Sequence, residues 1–95
     1  LKYPKVVKDF AFVVDKNIGY GEIKAYIEKN SSSLLKKVSL FDKFESEQLG
    51  IDKKSLAFSL EYFNVERTLT DEEVEKDFFG LIEKIKKEFN ATLRG

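Results

Sequence analysis

The sequence contains neither cysteine nor histidine, and these two absences remove most of the common ways in which a small protein does chemistry. Without cysteine there is no disulfide, no thiolate nucleophile and no Cys-based zinc site. Without histidine the commonest general base and the commonest metal ligand are gone. Methionine is missing too, so a chain that opens Leu1-Lys2 is expected to be a piece of a longer protein, contributing to that protein's reaction. No apolar run approaches the ~20 residues of a membrane span, and no signal peptide opens the chain. A cytoplasmic, soluble domain with no membrane association is therefore expected. Neither sign of charge is in excess: 17 basic residues face 17 acidic ones. That balance argues against a strong, sequence-independent nucleic-acid binder, while leaving room for a local site on one face.

What the chain does have is aromatic bulk. Nine Phe and four Tyr can fill the core of one domain without Trp or Met. The segment Lys53-Lys54-Ser55-Leu56-Ala57-Phe58-Ser59-Leu60 alternates strictly, with Leu56, Phe58 and Leu60 on one side and Ser55, Ala57 and Ser59 on the other. A strand heavy on one face and nearly bare on the other is suited to a flat polar ligand, such as a nucleic-acid base, lying against its light side. Phe10 to Val14 reads as an earlier strand with Phe10, Phe12 and Val14 on the heavy face and Asp9, Ala11 and Val13 on the light one.

A short helix is predicted over Gly21 to Lys29, with Ile23, Tyr26 and Ile27 at helical spacing. A strand follows over Leu35 to Glu45. Its alternation slips at Leu40-Phe41, which points to a bulge that would re-aim Asp42. Glu47 to Asp52 reads as a loop, and the strand after it runs from Ser55 to Phe63. Thr70 and Glu73 have the spacing of a capping box. Val74, Phe78, Leu81, Ile82, Ile85 and Phe89 then make one apolar helical stripe. Gly80 interrupts that helix at a cost of about 1 kcal/mol relative to Ala, and close packing on the sheet is the expected reason. Ala91 to Arg94 fits a last short strand. The order β-α-β-β-α-β defines an α+β, ferredoxin-like split βαβ fold: a four-stranded antiparallel sheet with two helices on one face, forming a single domain over residues 1–95.

Six blocks of residues then carry a resemblance: Tyr3-Pro4, Lys8-Asp9-Phe10-Ala11, Leu40-Phe41-Asp42, Lys53 to Phe58, Arg67-Thr68-Leu69-Thr70-Asp71-Glu72-Glu73-Val74, and Ala91-Thr92-Leu93-Arg94. In that order, and over nearly the whole chain, they resemble the ferredoxin-fold anticodon-binding domain at the C-terminus of the bacterial phenylalanyl-tRNA synthetase β subunit. The chain departs from the family pattern at Lys8, where the family usually has Arg, and at Ser46, Asp52 and Asn90, where it favours Gly. Asn is the next-best residue for a left-handed helix stop. The resemblance implies an RNA-binding module for the anticodon region of phenylalanine tRNA. ATP- and Mg2+-dependent aminoacylation would occur elsewhere in an α2β2 heterotetramer with the α subunit, and this domain itself would hold no cofactor and no metal. It maps the anticodon contacts onto Ala11, Asp42, Ser55 and Arg94.

The residue chemistry agrees with that map. Small side chains at Ala11 and Ser55 would let an unstacked base approach the backbone, although small residues are also simply tolerated on an exposed sheet. The Asp42 carboxylate only accepts hydrogen bonds. It suits the N–H donors of guanine's Watson–Crick edge, and a solvated turn Asp or an ion pair with Lys43 or Lys54 is the plainer alternative. Arg94 can stack on a base or fork onto phosphate, or be an ordinary surface Arg. Lys53 and Lys54 are phosphate-contact candidates that could equally keep a loop soluble, whereas Arg67 suits a structural role before the long helix, bonding carbonyls. Phe10, Phe12 and Phe58 belong to the core by parity, which leaves Phe44 and Phe63 unassigned. Asp71-Glu72-Glu73 is a helix start rather than a metal site.

Two other classes compete. One is a ferredoxin-like ligand- or protein-interaction domain without RNA binding, since fold does not fix function. The other is an acylphosphatase-like hydrolase, which needs a phosphate-cradling Arg after the first strand; residues 15–21 contain none. No catalysis is expected from the domain itself. Weak anticodon stem-loop binding with a steep loss on adding salt is expected instead.

Overall fold

A computed structural model describes residues 3–94. Its elements run β1 (Val6–Asp15), α1 (Tyr20–Asn30), β2 (Leu35–Phe44), β3 (Lys53–Tyr62), α2 (Asp71–Phe89) and β4 (Thr92–Arg94). The sheet order is β2-β3-β1-β4 with every neighbouring pair antiparallel. This is the predicted split βαβ arrangement, in which β1 and β3 form the centre and pair from Val6↔Tyr62 to Asp15↔Lys53. Both central strands start earlier than their apolar patterns suggest, because backbone pairing continues past the last core side chain.

Alternation sorts the central strands. Phe10, Phe12 and Val14 of β1 and Leu56, Phe58, Leu60 and Tyr62 of β3 are buried against the helices. Ile23 and Ile27 of α1 and Val74, Phe78, Leu81, Ile82 and Ile85 of α2 meet them. Phe10 sits at the centre of an aromatic group, stacked on Phe58 at 5.5 Å and edge-on to Phe12 and Phe78 at 5.2 and 5.6 Å. Each such pair adds about 0.5–1.5 kcal/mol beyond burial.

Both ends of α2 are closed by side-chain chemistry. Thr70 Oγ1 accepts from the Glu73 N–H at 3.2 Å, and Glu73 Oε2 accepts from the Thr70 N–H at 2.7 Å. Arg67 grips the same carboxylate with two bonds of 2.7 and 2.8 Å. Its structural role is therefore exercised chiefly on Glu73, with only a 3.5 Å contact to the Thr68 carbonyl. The guanidinium and the Thr70 backbone together hold the Glu73 carboxyl at about 2, well below its ordinary value. At the far end Asn90 adopts the left-handed conformation, φ 51° and ψ 41°, and its N–H donates to the Lys86 carbonyl. The Asn expected as the helix stop performs that role.

Gly80 requires a correction. A methyl group added there would meet nothing within 4 Å, and the residue is exposed. It faces away from the sheet, so close helix–sheet packing does not explain it. Gly50, by contrast, has φ 122°, and a side chain there would press to 2.9 Å from Lys53 Cγ. Only Gly fits that turn. One internal mismatch remains: among the described residues the buried Tyr62 hydroxyl and Asp77 Oδ2 form no well-aligned hydrogen bond, although Asp77 lies near the hydroxyl. Burial, and then the charge of Asp77, push the Tyr62 hydroxyl pKa upward.

Candidate nucleic-acid interface

The sheet face opposite the helices is organised by a single extra residue. Leu40 pairs with Phe58 on the core side, but Asp42 pairs with the very next β3 residue, Ala57. Two steps along β2 thus oppose one along β3, and Phe41 is the bulge. Without it, Asp42 and Phe44 would share the core side with Leu40. With it, both join the face opposite the helices, as expected for Asp42.

Cross-strand registers then define two rows. Asp42, Ala57, Ala11 and Arg94 lie side by side across β2, β3, β1 and β4, and Phe44, Ser55, Val13 and Thr92 form the next row. The fold therefore brings Ala11, Asp42, Ser55 and Arg94 together from four strands and three separate parts of the chain. Ala11 and Ala57 make a low floor between the outer residues. One Asp42 oxygen accepts from the Lys43 N–H at 2.9 Å. Among the described residues no Lys or Arg forms an ion pair with Asp42, and it is exposed. Its remaining acceptor positions face outward.

The face is less bare than the Ser–Ala pattern implies. Ser55 is only 3% exposed. Its direct neighbours in the row are Phe44 and Val13, and the Arg94 guanidinium lies over the Phe44 ring at 5.1 Å from the centroid. The Phe44–Arg94 contact thus reaches into the row in which Ser55 stands. Phe44 itself is 43% exposed, which makes it an aromatic surface beside the Ala floor. Sequence reasoning left Phe44 unassigned, yet the signal was present: counting parity from the bulge, rather than from the strand start, puts Phe44 with Asp42.

The two lysines separate. Lys53 lies on the Ser55 side and is bound to Asp15 at 2.5 Å. Lys54 pairs with Val14 and so belongs, by alternation, to the helix side. Lys8 also lies on the helix side, 3.7 Å from Glu75 of α2. Phe63 falls just past β3 and is half-buried. The face is thus a nearly neutral surface carrying one outward carboxylate, one aromatic ring and one guanidinium without a carboxylate partner among the described residues.

A low floor of small residues edged by Asp, Phe and Arg is a geometry that suits a flat, hydrogen-bonding ligand. Residues 2–94 match the ferredoxin-fold anticodon binding domain, and the chain belongs to that family. It is similar to the phenylalanine–tRNA ligase β subunit of Geobacillus kaustophilus, with 48% identity over 94 residues covering 99% of this chain. The corresponding subunits of Bacillus subtilis and Corynebacterium glutamicum are 43% and 44% identical over 94 and 93 residues, covering 99% and 98% of the chain. The chain spans 11–12% of the length of these relatives.

Proposed function

We propose that this chain is the tRNA-binding module of a phenylalanine–tRNA ligase β subunit, and that it holds the anticodon region of phenylalanine tRNA on the Asp42–Arg94 face. The observation that carries the reading is the row Asp42–Ala57–Ala11–Arg94, with Phe44 and Ser55 beside it. A single-stranded base is read by stacking and by hydrogen bonds to its Watson–Crick edge. Phe44 supplies a ring to stack on, and the Ala floor admits the base. Asp42 accepts from the ring and amino N–H groups of guanine, the first anticodon base. Arg94 reaches the base plane or a phosphate oxygen.

On this reading the chain is part of a longer polypeptide that works with an α subunit in an α2β2 heterotetramer in the cytoplasm. ATP and Mg2+ serve the aminoacylation centre elsewhere in that enzyme, and this domain contributes binding without catalysis. Lys53, already paired with Asp15, has a smaller part in phosphate contact than Arg94, and Lys54 approaches RNA only around the rim of the sheet.

The test is a titration of the 95-residue chain with a phenylalanine anticodon stem-loop and its first-position variants. Chemical-shift changes are expected on Ala11, Asp42, Ser55 and Arg94. Asp42→Ala is expected to reduce the preference for guanine at the first position by roughly 1–3 kcal/mol, the usual worth of a bidentate base contact. Equal weakening of every first-position variant would remove the base-reading role of Asp42. No shifts on this face would remove the RNA reading altogether.

A further inference from the structure

We infer that the Arg94–Phe44 contact is a strap that holds the site shut in the free protein and opens to admit one flat base between guanidinium and ring; this rests on the RNA reading of the same face. Arg94 belongs to β4 and Phe44 to β2, the two edges of the sheet, so their contact crosses both central strands. At about 4.8 Å per strand, the two side chains must extend toward each other over the Ala11–Ala57 floor and the Ser55 position. The consequence is visible at Ser55, whose 3% exposure is out of keeping with its place on the face away from the helices. A base cannot lie on this floor while the strap is closed.

Arg94 also has somewhere else to go. Asp9 stands two residues before Ala11 on the same face of β1, is exposed, and forms no ion pair among the described residues. Asp9 and Arg94 also line the rim of a cleft of about 140 Å³ at the β4 edge of the sheet, whose floor is made by Phe10, Phe78 and Ile82 from the helix side. Arg94 therefore has two stations: over the Phe44 ring, which shuts the site, or toward Asp9, which opens it. An exposed cation–π contact favours the shut station about two- to fivefold. That bias is weak enough for a stacking base to overcome. Asp42 stays outside the strap and exposed, so guanine can be met at the β2 edge before Arg94 yields.

The absence of cysteine supplies a clean reporter. Ser55→Cys puts the only thiol of the chain under the strap, and its rate of alkylation by iodoacetamide reads how often the strap is open. Adding Arg94→Ala or Phe44→Leu to Ser55→Cys is expected to raise that rate about three- to sixfold, the inverse of the open fraction such a bias leaves. A second measurement needs no cysteine. In the unaltered chain the Arg94 δ-protons are expected to be shifted upfield by the ring, and Phe44→Leu to abolish that shift. Equal alkylation rates in all three chains, or Arg94 shifts indifferent to Phe44, would overturn the strap. The phenylalanine anticodon stem-loop then separates the two readings. Thiol rates that respond as stated, with a stem-loop that does not bind the unaltered chain, leave the strap standing and remove the RNA reading. A stem-loop that binds while the thiol rates stay equal removes the strap alone.

Discussion

The Arg94 guanidinium carbon lies 5.1 Å from the centre of the Phe44 ring, although the two residues sit on opposite edge strands of a four-stranded sheet. This contact turns a surface that looks open in the sequence into one that is covered. It also identifies Phe44 as the aromatic component of the face. Under the proposed function, anticodon recognition combines stacking on Phe44 with hydrogen bonding at Asp42, rather than resting on hydrogen bonds to a bare sheet.

Phe44→Leu follows directly. Base–aromatic stacking is worth about 1–3 kcal/mol per base; a middle value of about 2 kcal/mol is a roughly thirtyfold loss, losing the strap returns about three- to sixfold, and stem-loop affinity is expected to fall about five- to tenfold. Because the ring is 43% exposed, thermal stability is expected to change little. Fluorescence anisotropy with a labelled stem-loop checks the affinity, and calorimetry the stability. Undiminished affinity would deny Phe44 a place in the site.

The state of the lysines shapes the salt dependence. Lys53 is bound to Asp15, and Lys54 and Lys43, paired with Val14 and Leu56, lie on the helix side by alternation, which leaves Arg94 as the cation of that face without an ion pair among the described residues. One phosphate contact corresponds to a log–log slope of roughly −0.7 for single-stranded nucleic acid. The loss on adding salt is therefore expected to be shallower than free Lys53 and Lys54 would produce. Binding isotherms between 50 and 300 mM KCl measure the slope, and one of about −1.4 or steeper would mean that a second cation, Lys53 released from Asp15 first among them, meets the RNA.

The fold was largely legible in the sequence because its two faces differ so sharply. The Leu56–Phe58–Leu60 and Phe10–Phe12–Val14 series leave no doubt about which side meets the helices, and Thr70–Glu73 marks the start of α2. The bulge was legible as well, since Leu40 and Phe41 cannot both face the core. What alternation could not reveal was reach. The covering of Ser55 depends on two long side chains meeting across four strands, a relation between residues 50 positions apart that no local period encodes. Gly80 was misread for a related reason: the position of a residue in a helix stripe says where it points, but not why a glycine stands there.

Gly80 leads to a stability prediction. It is exposed in the middle of α2, with open space where a Cβ would sit. Gly80→Ala is expected to stabilise the chain by roughly 0.5–1 kcal/mol through helix propensity and a less flexible unfolded chain. Urea unfolding checks it. A destabilised Gly80→Ala chain would show that the helix surface needs its glycine even in the free domain.

Glu73 ties stability to acid. Its carboxyl titrates near 2 when folded, against an ordinary value of 4.5, because Arg67 and the Thr70 N–H favour the charged form. Between these values the unfolded chain takes up a proton that the folded chain refuses, so stability falls with pH in that interval. The contribution is complete above about pH 4.5 and is lost as pH drops through 2. Glu73→Gln keeps an acceptor for the Thr70 N–H but removes the charge facing Arg67. It is expected to lower stability at pH 7 and to flatten the acid limb between about pH 4.5 and 2. Urea midpoints measured across that interval make the comparison. Parallel acid limbs for the two chains would show that the Arg67–Glu73–Thr70 cluster does not govern the acid response, and that the remaining carboxylates carry it.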